Sequence, residues 1–381
     1  MAQNKTDLFQ PQLKNTGSHH TLVLFGLLLI MASMGLHNLY SATAASGAFY
    51  GQVKNLCLGG VFFIFFGWVL PLRLIHTYAY ALLVAVSVAL VIVLVMGRIA
   101  GGAQRWLHIG PVGGQPSELA KMAVAFAVAK FFTHSRTRDH YTLKEIFPIF
   151  LTIIFIFILI FKQPDFGTAG VALGIGFCQL AFVRIKIGVR MACSILFSVL
   201  LLACSGWFVL LRPYQKLRIL NFLDPSLDPM GSGYNSIQSL IAIGSGGVWG
   251  KGFQLGTQTQ LQFLPARQTD FIFSVFAEEQ GFWGCLLICV LFTIFAYIAL
   301  EISRGCRDGF HALLAIGMGS LMYVEFAINV AMVIGIFPVV GVPLPFFSHG
   351  GSALLTACSA MGILVALDRD NVRALNRHKN Q

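Results

Sequence analysis

Charge is what this chain has least of. Asp, Glu, Lys and Arg make up 11% of its 381 residues and hydrophobic residues 56%, whereas soluble domains carry roughly 25% charge. That shortage excludes a soluble globular protein, and no segment reads as an independent soluble domain. Acids are scarcer than bases, 15 against 26, which leaves a net charge of +11. Nucleic acid is not needed to explain the excess, because basic flanks facing anionic lipid account for much of it. Cysteine is also sparse, with eight residues and neither a CxxC pair nor a metal-ligand spacing. Most of them (Cys178, Cys193, Cys204, Cys285, Cys289 and Cys358) fall inside apolar runs and read as small packing residues.

What the chain has is long apolar runs. A span of about 17–25 such residues crosses a ~30 Å hydrocarbon core. Ten candidates recur, at roughly 20–40, 52–71, 76–96, 117–133, 146–161, 167–184, 188–211, 271–299, 309–336 and 346–367. The expected fold is therefore an all-α polytopic membrane protein, a single domain over 1–381 with short tails at 1–19 and 368–381. Basic residues set its orientation. One set of flanks holds Lys5, Lys14, Arg73, Arg136, Arg138, Lys144, Arg184, Lys186, Arg190, Arg304 and Arg307, and the C-terminal tail adds Arg369, Arg373, Arg377 and Lys379. Both termini are thus expected in the cytoplasm, with one long extracytoplasmic loop at 212–270. The first run, with Ala42-Thr43-Ala44 beyond it, mimics a signal peptide, but the further spans favour an uncleaved helix.

Polar chemistry gathers at the expected outer face. Asp270 stands at the lip of the eighth span. A carboxylate there is either a helix cap or a functional group, since charge at the edge of hydrocarbon is costly. Glu118 and Lys121 share a helical face inside the fourth span. They read either as a structural ion pair or as a lysine aimed at an anionic head group. Arg105, beside Trp106, is an interfacial anchor or a phosphate ligand. In the long loop, Ile237–Ile243 reads as an amphipathic or re-entrant helix. Gly244–Gly252 with Lys251 is either a plain turn or a backbone cradle for phosphate. Asp165 sits at a helix end, where capping suits it, and at least one of Glu278 and Glu279 should face the bundle interior. Glu325 lies mid-span with Asn329 one turn later and has no assigned role.

These motifs occur together in one order: Gln115-Pro116-Ser117-Glu118 with Lys121, Gln163-Pro164-Asp165-Phe166-Gly167-Thr168, Asp224-Pro225, Gly256-Thr257-Gln258, Leu264-Pro265, Thr269-Asp270-Phe271, then Pro343-Leu344-Pro345 with Gly350-Gly351-Ser352. The set resembles the SEDS family, the shape, elongation, division and sporulation proteins that polymerise peptidoglycan. Its short tails and GTQTQLQFLP wording are closer to the RodA (elongation) branch than to the FtsW (division) branch. The resemblance implies a ten-helix glycosyltransferase of the bacterial inner membrane, using lipid II with its active site facing the periplasm. It implies Asp270 as the essential aspartate and general base, and Arg105 and Lys121 as the basic residues near the pyrophosphate. Lys251 is a further candidate ligand, and Arg267 a group that keeps Asp270 ionised. No covalent cofactor is expected, and a divalent cation, Mg or Mn, is allowed. Implied partners are a class B penicillin-binding protein (a single-span transpeptidase), the elongation complex and membrane lipids. The chain departs from the family's wording at Gln262, Ala266 and Gln268, which leaves Asp270 the single candidate base in its motif. Two other readings stand beside the polymerase: a lipid II flippase without polymerase activity, and a scaffold that recruits a transpeptidase.

Overall fold

Apolar length decides most of the helices. In the computed structural model they are α1 (His19–Thr43), α2 (Gly47–Ile64), α3 (Leu72–Met96), α4 (Pro116–Phe131), α5 (Leu143–Lys162), α6 (Phe166–Ala181), α7 (Ser232–Gly246), α8 (Thr257–Gln260), α9 (Ile272–Gly305), α10 (Gly309–Val333) and α11 (Gly351–Lys379). The structure describes residues 19–43, 46–100, 103–109, 112–134, 140–185 and 232–379, plus the single positions 216, 220, 222 and 224. The side chains of 98–113, 232 and 377–379 lie outside that description, as does the span expected over 188–211. Among the described residues, seven helices are long and apolar enough to cross a membrane: α1, α2 with its extension to Val69, α3, α5, α9, α10 and α11. α6 is a shorter apolar helix. The architecture is that of an all-α polytopic membrane protein.

α4 forms the centre. Pro116 occupies its first turn together with Glu118, placements that suit the free N–H groups and the dipole there. Every residue from Ala120 to Ala129 is buried, the pattern of a helix surrounded on all sides. Alanine at five of those ten positions keeps α4 slim, which permits close approach by α3, α6 and α10. α10 and α11 are buried along most of their length, whereas α2 and α3 turn most of their side chains outward as a lipid-facing surface.

Three features depart from the sequence-based expectation. The connection 97–116, expected as a loop, contains a three-stranded antiparallel sheet: β1 (Arg98–Ala100), β2 (Ala103–Ile109) and β3 (Val112–Gly114). Trp106 stands opposite Arg98 in register. Next, the last span begins at Gly351 rather than near 346, because Pro343, Pro345 and the glycines up to Gly350 hold 334–350 out of regular helix. The same helix then runs on through the expected tail to Lys379.

Finally, α9 is not continuous. Gly281 has φ 65° and ψ −161°, a conformation open essentially to glycine alone, and it breaks the helix. The carbonyls of Glu278 and Glu279 accept hydrogen bonds from the N–H groups of Lys251 and Gly252, both at 3.0 Å, and Phe282 N–H donates to Gly247 at 3.0 Å. The loop thus satisfies backbone groups that the break exposes, as a discontinuous membrane helix requires. A Cβ on Gly281 would lie 2.3 Å from the Gly250 nitrogen. Gly281→Ala should therefore abolish recovery of monodisperse protein by size-exclusion chromatography.

Candidate active site

Asp270 sits in the turn immediately before α9 and is half-buried. The backbone around it is strapped down from three directions. Ser348 Oγ donates to the Thr269 carbonyl at 2.6 Å and accepts from Leu344 N–H at 2.7 Å. His349 N–H donates to the Gln268 carbonyl at 2.8 Å. Asn329 Nδ2 reaches the Asp270 carbonyl at 3.0 Å and the Val342 carbonyl at 2.7 Å. Asn38 of α1 holds the Ile272 carbonyl at 3.1 Å, and Gln52 of α2 holds the Ser348 carbonyl at 3.1 Å. These bonds fix where the backbone presents Asp270 while none of them uses its carboxylate. Burial pushes the His349 imidazole below its ordinary pKa, so this neighbour of the strap is neutral at pH 7.

The carboxylate lies against Gly341, where an added Cβ would stand 3.3 Å from Asp270 Oδ2. Gly341 has φ +73°, the left-handed region. Its neighbour Val340 packs on the start of α6, with its carbonyl 2.6 Å from where a Cβ on Gly167 would be. Asp165 caps that helix, accepting from Thr168 N–H at 3.3 Å and from Gln115 Nε2 at 2.9 Å. The motif order in sequence thus becomes adjacency in space: Gln115, Asp165, the 340–342 turn and Asp270 form one layer. Gly341→Ala adds left-handed strain of about 1–2 kcal/mol and crowds the carboxylate. We expect catalytic activity to fall about 10²-fold, the scale of a 1 Å misplacement, with the protein still eluting as a folded species.

A second cluster lies deeper. Lys121, 1% exposed, has its Nζ 2.7 Å from Glu118 Oε2 and also in contact with Glu325 Oε1. Glu325, which had no assigned role, is therefore a second counter-ion to Lys121. It stands one turn from Asn329 on α10, so one helix face touches both the ion cluster and the Asp270 backbone.

A third cluster organises the loop. Glu278, fully buried, accepts from Lys251 Nζ at 2.7 Å, Gln258 N–H at 3.0 Å, Thr257 Oγ1 at 3.2 Å, and the Thr259 N–H and hydroxyl at 3.3 and 3.2 Å. Glu279 accepts from Ser41 Oγ and from Gln254 N–H at 3.2 Å. Both acids face inward, and both anchor 251–260 across the break in α9. Lys251 is engaged with Glu278 and with Thr257 at 2.8 Å, while its glycine-rich run packs on the α9 backbone. Arg267 donates to the Thr259 carbonyl at 2.6 Å, bracing the same loop. Arg105 is carried on β2, and its side chain lies outside the described residues. Asn329, Ser348 and Gly341 were missed as site residues by sequence reasoning. The proline- and glycine-rich wording around 343–352 marked the neighbourhood of Gly341 and Ser348, and the mid-span Glu325 that of Asn329.

Among the described residues, no group of three or more His, Cys, Asp or Glu is placed to hold a metal ion.

A bundle of apolar helices with an acid strapped at a helix entrance and buried ion clusters beneath it defines a membrane-embedded polar site. The FtsW/RodA/SpoVE family, described as cell cycle protein, matches residues 16–373, and the chain belongs to it. It is 37% identical over 349 residues to the peptidoglycan glycosyltransferase MrdB of Escherichia coli K12, covering 90% of this chain and 92% of that one. It is 34% identical over 367 residues to stage V sporulation protein E of Bacillus subtilis, covering 93% and 98%. The fold is similar to RodA of Thermus thermophilus, with TM-score 0.66, 26% identity and coverage of 91% and 96%. It is also similar to a chain of a peptidoglycan synthase complex described as coordinating polymerization and crosslinking, with TM-score 0.77, 29% identity and coverage of 91% and 97%. Within the family the chain is RodA-like rather than FtsW-like.

Proposed function

We propose, for a chain whose family and relatives make it a peptidoglycan glycosyltransferase, that it polymerises lipid II for cell elongation with Asp270 as the general base. The observation that carries this reading is the strapped backbone of 268–270, which fixes one acidic residue at a helix entrance with its carboxylate against the Gly341 turn. The reaction joins an acceptor sugar hydroxyl to the anomeric carbon of a donor. The hydroxyl proton passes to Asp270, the new C–O bond forms, and the bond to undecaprenyl pyrophosphate breaks. A single displacement inverts the anomeric centre. General-base assistance of this kind is worth about 10²–10⁴-fold.

Developing charge on the leaving pyrophosphate calls for cations. Arg105, on the sheet that precedes α4, is the first of these in our reading, and Lys121 the second. The Lys121 ammonium has three donors and shows two carboxylate partners, so one donor remains for a phosphate oxygen. Its burial means that α4 and α10 must part for a lipid phosphate to reach it. Lys251 and Arg267 act through the loop they brace.

Arg73, Arg304, Arg307, Arg369 and Arg373 gather at one end of the helices, and Asp270 belongs to the other. The positive-inside rule assigns the first end to the cytoplasm and so places Asp270 on the periplasmic side of the inner membrane. A transpeptidase of the class B penicillin-binding type would dock its single helix on α9, whose Trp283, Leu287, Val290, Ile294 and Tyr297 form an outward apolar stripe.

The test is purified protein, with and without that transpeptidase, incubated with labelled lipid II and a divalent cation. Glycan strands on a gel are the expected product. Absence of polymer with the partner present, alongside lipid II crossing a vesicle bilayer, would replace this reading with the flippase.

A further inference from the structure

At the opposite end of the bundle from Asp270 lies a cavity of about 870 Å³. It opens between the end of α2, the start of α3, the turn joining α9 to α10, and the last third of α11. Gly309 and Asn329 are twenty residues apart on α10, and at 1.5 Å per residue the cavity lies about 30 Å from the Asp270 strap. The cavity therefore belongs to neither the proposed active site nor the ion clusters beneath it.

Its chemistry is basic. Arg73, Arg369 and Arg373 line it together with His76, His311 and Trp68. Two carboxylates are present, but one is already committed. Asp308 caps α10 through His311 N–H at 2.7 Å, and its other oxygen lies 3.1 Å from His311 Nδ1. Asp370 stands exposed on α11. Arg369 is fixed in place: it donates to the Gly67 carbonyl at 2.7 Å, and its guanidinium lies 5.1 Å from the Trp68 ring centroid. Arg373 is near enough to Arg369 for the two charges to repel. Among the described residues, the guanidiniums of Arg73 and Arg373 have no hydrogen bond or ion pair.

The backbone is shaped for the cavity as well. α2 widens into a π-helix over Phe65–Val69 as it enters, a distortion often found at functional sites. That widening brings Gly67 and Trp68 to Arg369. Pro71 then starts α3, so Arg73 projects from the first turn beside the opening.

Three guanidiniums lining a volume of several hundred Å³, with Asp308 already held by His311, suit a doubly hydrogen-bonded phosphate. Trp68, 46% exposed, adds a ring of the kind found at head-group level. We propose that this cavity is a phosphate-binding site for the head group of an anionic phospholipid in the adjoining leaflet, held by Arg73 and Arg373 with Arg369 as the fixed wall. A soluble phosphate ester offers the same chemistry and is the other source to be distinguished.

The experiment uses the full-length protein in neutral detergent micelles, read by quenching of tryptophan fluorescence. Brominated phosphatidylglycerol and brominated phosphatidylcholine are titrated separately, against wild type, Trp68→Phe, and the double variant Arg73→Gln/Arg373→Gln. We expect half-quenching of the Trp68-dependent signal at a mole fraction about tenfold lower for phosphatidylglycerol, a preference of one good charge-assisted contact. The double variant should lose that preference while its melting temperature stays put, since both side chains are exposed and unpaired. In a parallel arm, glycerol 3-phosphate alone is titrated into both proteins. Arg73/Arg373-dependent saturation there, with no preference between the two lipids, would keep the phosphate site and overturn its lipid source. Equal quenching by the two lipids with no glycerol 3-phosphate binding, or a preference unchanged in the double variant, would overturn the proposal whatever the polymerase assay shows.

Discussion

Asp270→Asn should lower lipid II polymerisation by about 10²–10⁴-fold while the variant still elutes as a folded species. The separation of the two effects rests on where the strap bonds fall. Asn329, Ser348 and His349 hold the carbonyls of Asp270, Thr269 and Gln268, and an amide in place of the carboxylate disturbs none of these. What the amide removes is the proton acceptor. A loss of 10²–10⁴-fold corresponds to about 2.7–5.5 kcal/mol in the barrier, all of it at the reacting hydroxyl. Glycan length on a gel, normalised to folded protein, is the measurement. Full activity in the folded variant would remove Asp270 from the mechanism. Lipid II transport measured on the same variant separates the two readings further, because a translocation path has no step that needs this base.

Much of this architecture could be read from the chain because membrane helices announce themselves by apolar length. α1, α3, α5 and α10 lie within a few residues of the spans expected for them. The break in α9 could not be read, because a glycine inside an apolar window is also common in unbroken membrane helices. Only the conformation of Gly281 and its contact with Gly250 reveal it. The small sheet was hidden for a related reason: its outer strands have three residues each, too few for alternation to show.

Within the site, the acids were conspicuous because charge is rare in such a chain. Their partners were not. Asn329 acts on Asp270 across 59 residues, and Ser348 on Thr269 across 79, both through main-chain carbonyls. A side chain that recognises a distant backbone group leaves no spacing in the sequence. Glu325 was visible as an anomaly, and its explanation needed the packing of α10 on α4, which no one-dimensional pattern contains.

Lys121→Ala should be the most destabilising substitution at a charged position, and Glu325→Gln one of the mildest. The asymmetry follows from counting charges in the buried cluster, which holds one ammonium and two carboxylates. Removing the lysine leaves Glu118 and Glu325 facing each other in a low-dielectric interior. Losing one partner of a buried ionic group costs about 3–5 kcal/mol. Glu325→Gln instead keeps the side-chain length, still offers an oxygen to the ammonium, and leaves Glu118 as counter-ion at 2.7 Å. Its cost should stay within about 1 kcal/mol, the net worth of one ordinary hydrogen bond.

Thermal unfolding in detergent reads both. A neutralised cluster, Glu118→Gln/Lys121→Met/Glu325→Gln, then separates structure from catalysis, because apolar or neutral replacements of a whole buried ion group are often tolerated. That triple variant should recover most of the stability lost in Lys121→Ala. If Lys121 meets the departing pyrophosphate, polymerisation remains about 10²-fold down or more, the scale of removing one charge-stabilising donor. If polymerisation returns with stability, the lysine serves only to bury two carboxylates between α4 and α10, and the leaving group is held by Arg105 without it.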